Sequence, residues 1–87
     1  MKKDGIEFRV GDSAFYFKLG NILEEKKLSK NKLCQETGTD YKVITRYLTG
    51  NLLRIDTIVL ARLCEFLDCE MTDIIDFKRN VYKKEND

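Results

Sequence analysis

Two glycines, Gly38 and Gly50, cut residues 29–50, SKNKLCQETGTDYKVITRYLTG, into two helix-like runs of barely two turns each, and this punctuation constrains the chain more than any other feature. Glycine adopts a positive φ without a Cβ clash, so each stands where a left-handed cap ends a helix. Ser29 and Asp40 precede the two runs as N-caps, and Leu28 with Leu33 brackets the first start in a near hydrophobic-staple arrangement. Helices this short are unstable alone. Joined by a turn of about three to four residues, they persist only where tertiary packing holds them at a steep angle, which pushes the second one outward as a ridge. Ile44 and Leu48, four residues apart, form the inward face of that second run.

On either side of this pair the patterns are simpler. Ile6, Phe8 and Val10 alternate with Glu7 and Arg9 and stop at Gly11-Asp12, which is a short strand pattern. One strand has no stability by itself, so it needs a partner: the same strand of a second subunit, or a core over which it lies as an extended arm. With Asp12 or Ser13 as cap, Phe15, Leu19, Ile22 and Leu23 recur at helical spacing and predict a helix over 13–26. Asp56 caps a fourth helix carrying Ile58, Val59, Ala61, Leu63, Cys64, Phe66 and Leu67, expected to be the most buried. Thr72 caps a final short turn with Ile74, Ile75 and Phe77, and a charged, fraying tail follows. The expected fold is all-α, five helices plus a strand-like N-terminal arm, divided into an arm (1–12), a helical domain (13–77) and a tail (78–87).

The 87 residues suffice for one core. A net charge of +1 hides a polarised chain: residues 26–54 hold seven basic side chains against two acidic ones, a net +5, whereas residues 55–77 hold Arg62 against six acids, a net −5. A local basic face is what a polyanion feels within a Debye length of about 8 to 10 Å. No histidine is present, and Cys34, Cys64 and Cys69 follow no metal-ligand spacing. They read as small buried hydrophobes, and neither a metal, a cofactor nor a small-molecule effector is expected. Without a neutral-pH acid-base pair converging on a nucleophile, no catalytic residue is assigned and an enzyme is not expected. No apolar run approaches the roughly 20 residues of a membrane span, and the N-terminus lacks a signal-peptide pattern, so the expected compartment is the cytoplasm.

The ordered set of Leu28-Ser29, Leu33 with small Cys34, Gly38, Asp40, Ile44 and Gly50 resembles the helix-turn-helix of the Cro/CI-type (XRE-like) bacterial and phage regulators, whose DNA-binding domains are λ-repressor-like. Downstream, LLRIDTIVLARLCEFLDCEMTDIID is similar to the two helices that pack behind the reader helix, so the resemblance covers residues 13–77. Cys34 stands where many members carry alanine, and the arm lies outside the family's common core. The resemblance implies a small transcriptional regulator, of repressor type, that reads double-stranded DNA with one helix in the major groove, which is about 12 Å wide. On that reading Tyr41, Lys42, Thr45 and Arg46 project from the second helix toward base edges, with Arg46 suited to guanine O6 and N7 and Tyr41, Thr45 or Val43 to a thymine methyl. Ser29 and Lys30, at a helix N-terminus that favours an anion, together with Lys32, Thr49 and Asn51, are assigned to phosphates. One module has a limited contact area, so a homodimer on two half-sites is expected, joined through Ile6, Phe8 and Val10 or through apolar residues of the acidic half. The competing reading is a protein-interaction module, an antitoxin or adaptor using the same fold without reading DNA.

Overall fold

The structure is a computed structural model that describes residues 5–83; residues 1–4 of the expected arm and 84–87 of the expected tail lie outside the described residues. In chain order the elements are β1 (Ile6–Val10), β2 (Ser13–Phe17), α1 (Leu19–Lys26), α2 (Lys30–Thr37), α3 (Tyr41–Thr49), α4 (Thr57–Leu67), α5 (Met71–Ile74) and β3 (Ile75–Lys78). Helices α2 to α4 begin at the expected caps. Ser29 Oγ accepts the Lys32 N–H at 3.0 Å, Asp40 the Lys42 N–H at 2.8 Å, and Asp56 the Ile58 N–H at 2.9 Å. Gly38 and Gly50 end α2 and α3 at φ 64° and 79°.

The all-α expectation is overturned by a three-stranded antiparallel sheet in the order β1-β2-β3. The strand-like arm finds its partner within its own chain, pairing with β2 from Ile6 opposite Phe17 to Val10 opposite Ser13. Gly11, at φ 63°, supplies the positive φ that the two-residue hairpin turn Gly11-Asp12 requires. The helix expected over 13–26 therefore begins only at Leu19. Phe15 lies at helical spacing from Leu19 and Ile22, but it belongs to a strand covered on both faces. Phe17, 4% exposed, packs on one side, while Ala14, 0% exposed, is covered on the other. A central strand of this kind shows an apolar run instead of alternation, and such a run is easily taken for the start of a helix.

β3 brings the C-terminal part of the fold back to β2, pairing Ala14 with Lys78 and Phe17 with Ile75. The tail expected to fray is tied down just beyond it, where the Tyr82 N–H donates to Asp12 O at 2.9 Å and the Asn80 N–H to Ser13 Oγ at 3.0 Å. The start of α5 also differs from expectation: Glu70, not Thr72, occupies the N-cap, and its N–H donates to the Asp73 carboxylate at 2.9 Å.

The core forms where the helices meet the inner face of the sheet. Leu19, Leu33, Ile44, Leu63 and Ile74 are all 0% exposed, each worth about 1.5 to 3 kcal/mol of burial. Helix α4 is amphipathic instead of buried all round. Leu60, Leu63 and Leu67 face inward, whereas Ile58 is 62% and Phe66 38% exposed. No helix among the described residues is long and apolar enough to cross a membrane.

Candidate nucleic-acid interface

Residues 38–40 turn the chain between α2 and α3, and the turn is held by a small buried polar latch. The Thr37 hydroxyl donates to Leu33 O at 2.7 Å, and the Thr37 and Thr39 hydroxyls share a hydrogen bond at 2.9 Å. Both threonines are buried at 8% exposure. Sequence reasoning assigned them no role, although two threonines flanking a C-cap glycine are a local signal for such a latch. Below the turn, α2 presses Leu33 into the core and α3 presses Ile44 and Tyr47, so α3 is anchored by its inner face and bares the other.

The four residues assigned to bases lie on the outer side of α3. Tyr41 is 53% exposed at the first helical position, Lys42 and Arg46 are exposed, and Thr45 is half-buried. Tyr41 with Thr45 and Lys42 with Arg46 are four apart, so they form two adjacent rows on one surface. The Thr45 hydroxyl donates to Tyr41 O at 2.9 Å, back along its own helix. Lys30, at the first position of α2, places its ammonium 3.9 Å from the centre of the Tyr41 ring. This cation–π contact, worth about 0.5 to 1 kcal/mol at an exposed site, joins the N-termini of both helices into one surface.

The residues assigned to phosphates are less uniform. Ser29 and Lys30 stand at the N-terminus of α2, where Ser29 caps Lys32 and keeps its hydroxyl hydrogen for another acceptor. Lys32 instead pairs along its own helix with Glu36 at 3.2 Å. Exposed ion pairs of this type contribute about 0 to 1 kcal/mol and exchange partners readily. Thr49 donates its hydroxyl to Thr45 O at 2.9 Å, and Asn51 is exposed just past the Gly50 cap. Arg46, Asn51, Leu52, Leu53 and Arg54 line a shallow cleft of about 430 Å³ at the far end of the ridge. Arg54 thereby joins the basic surface, a residue that sequence reasoning counted in the basic half but gave no role.

Burial shapes the chemistry beneath this surface. Tyr47, 1% exposed, has its pKa raised by desolvation first and then by the negative charge of Asp56, so its phenol stays neutral. Its hydroxyl has no hydrogen-bond partner among the described residues. Desolvation likewise pushes the Cys69 thiol up to about 11, which keeps it a protonated, inert packing group. Among the described residues there is no cluster of three or more groups able to hold a metal ion.

The arrangement is thus a capped, outward-facing helix with a mixed basic and aromatic surface, supported by a second helix at a fixed turn. A comparison with curated proteins gives no match. The family model described as "Cro/C1-type HTH DNA-binding domain" matches residues 18–80, well over half of the chain, and covers all five helices and β3. The chain belongs to the Cro/C1-type helix-turn-helix DNA-binding domain family.

Proposed function

We propose that this DNA-binding regulator recognises specific double-stranded sequences by laying α3 in the major groove, and that it acts as a repressor by occupying its site. Residues 13–77 supply the DNA-binding domain. The observation that carries the reading is the placement of exposed Tyr41, Lys42 and Arg46 and half-buried Thr45 on one surface of a helix whose opposite side, Ile44 and Tyr47, is fully buried. Such a helix presents side chains to a groove without loosening its own anchorage. Arg46 offers a bidentate donor pair to guanine, and a good pair of this kind discriminates by about 1 to 3 kcal/mol. Tyr41 and the Thr45 methyl suit a thymine methyl.

Ser29, Lys30, Lys32, Thr49 and Asn51 position the protein on the backbone. The positive end of the α2 dipole favours a phosphate beside Ser29 and Lys30. One such module buries about 600 to 1,000 Å² on DNA, so two copies on half-sites about 34 Å apart account for tight binding. A homodimer supplies them.

The test starts from duplexes selected out of a random pool by the wild-type protein. Replacing Lys42 and Arg46 together with alanine is expected to weaken binding to the selected duplex by roughly 30-fold or more and to lower the slope of log affinity against log salt. Unchanged affinity at moderate salt sinks the assignment of this face.

A further inference from the structure

The sheet has two edges, and the structure treats them differently. The Lys18 N–H donates to Ile74 O at 2.8 Å, which fixes the direction of the alternating main-chain groups of β2. Ala14, Tyr16 and Lys18 turn theirs toward β3, and Ser13, Phe15 and Phe17 toward β1. In β1, Ile6, Phe8 and Val10 are therefore engaged with β2, while the N–H and C=O of Glu7 and Arg9 point out of the sheet. In β3 the outward residues are Ile75 and Phe77. Both of their donors are occupied, the Ile75 N–H by Met71 O and the Phe77 N–H by Asp76 Oδ1 at 2.9 Å. β3 is a blunted edge; β1 is an open one, a template for another strand.

Resting on the homodimer reading above, we propose that β1 pairs antiparallel with β1 of a second copy about a two-fold axis at Phe8, with Glu7 opposite the partner subunit's Arg9. The sequence of the edge selects this register. Outward-pointing residues must face outward-pointing residues, which leaves three symmetric alignments. Setting Glu7 against the partner's Glu7, or Arg9 against the partner's Arg9, opposes like charges, which destabilises a sheet. The third alignment sets Glu7 against the partner's Arg9 twice over and closes four main-chain hydrogen bonds.

The other face agrees with this choice. Ile6 is 47% and Val10 50% exposed although both project to the inner, apolar side of the sheet. In the proposed register Ile6 meets the partner's Val10, and Phe8 meets the partner's Phe8 across a close pair. Leu53, 81% exposed, lines the same apolar groove as Phe8 and Val10 and lies ready to extend this contact. Glu7 has no ion-pair partner among the described residues, and Arg9 is already held at the edge by its Nε–H to Gly11 O at 2.8 Å and by Tyr82, 4.1 Å below its guanidinium. Among the described residues one acid stands open and one base stands oriented, in the positions that the two-fold exchanges.

Sedimentation equilibrium on the full chain tests the interface. Glu7→Pro removes an N–H that β2 does not use, a position where a sheet edge tolerates proline, and it is expected to weaken dimerisation roughly 10- to 100-fold with the circular dichroism spectrum unchanged. E7R and R9E offer an independent route. Each alone opposes like charges and is expected to be monomeric, whereas an equimolar mixture sets a doubly basic strand against a doubly acidic one and is expected to restore a heterodimer. A wild-type dimer that survives Glu7→Pro, or variants that stay apart on mixing, overturns the β1 interface while leaving the homodimer standing. A wild-type chain that remains monomeric at about 100 μM both free and on a two-half-site duplex overturns the homodimer and the interface together.

Discussion

Gly38 and Gly50 end consecutive helices with the same left-handed backbone, yet their surroundings have nothing in common. A Cβ on Gly38 would meet no atom within 4 Å, whereas one on Gly50 would sit 2.9 Å from Ile6 Cγ2 and 3.6 Å from Phe17 Cδ1. The turn between α2 and α3 is set by its own residues, through a glycine, an aspartate cap and two threonines. The far end of α3 is set by the sheet, through side chains remote in sequence. Helix α3 is thus indexed at its start by local chemistry and at its end by tertiary contact. A change in either region should move it in a recognisably different way.

The harshest way to break this comparison is to abolish both regions at once. Ile44 is 0% exposed beneath the middle of α3. Ile44→Asp is expected to cost more than about 5 kcal/mol, comparable to the whole stability of a small domain, and circular dichroism should show an unfolded chain. A folded mutant would contradict the anchorage of α3. Substituting the two glycines sharpens the contrast. Gly38→Ala meets only the conformational cost of positive φ and is expected to lose about 1 to 2 kcal/mol. Gly50→Ala adds overpacking against Ile6 and Phe17 and is expected to lose about 2 to 4 kcal/mol in urea denaturation. Equal losses would mean that the sheet does not constrain α3.

The smallest effect comes from Tyr47. Removing its unpartnered buried hydroxyl in Tyr47→Phe is expected to change stability by less than about 1 kcal/mol, in the stabilising direction if at all. The pH dependence carries the sign. The folded-state pKa of Tyr47 is raised above its ordinary 10.0, so the neutral phenol stabilises the fold below that pH and the contribution is lost as pH climbs past it. Cys69 behaves alike from its ordinary 9.0 through about 11. Thermal melts between pH 8 and pH 11 should therefore fall in both proteins, less steeply above pH 10 in Tyr47→Phe. Identical slopes would refute the burial argument.

The sequence announced those features whose cause is local. Ser29, Asp40 and Asp56 are caps because their side chains bond N–H groups two or three residues away, and the glycines mark their helix ends by the same short-range logic. The outward set on α3 was legible because Ile44 fixes the phase of a 3.6-residue period. The hidden features depend on residues far apart. β2 reads as a helix start because both of its faces are covered, and β3 is four residues whose partner lies at Ala14–Phe17. The Lys30–Tyr41 contact likewise required the crossing of two elements, which no single periodicity encodes. Arg54 was visible as a charge, but only the folded loop after α3 places it beside Arg46.

That separation in sequence also orders events in time. β1 meets β2 across a two-residue turn, whereas β3 must return to β2 over residues 18–74, a closure that costs about 3 kcal/mol more in chain entropy. A nascent chain can fold its hairpin and its helix pair before β3 arrives. By the same arithmetic, in a chain pulse-labelled with deuterium during refolding, the β2-facing amides of Phe8 and Val10 should become protected before those of Asp76 and Lys78.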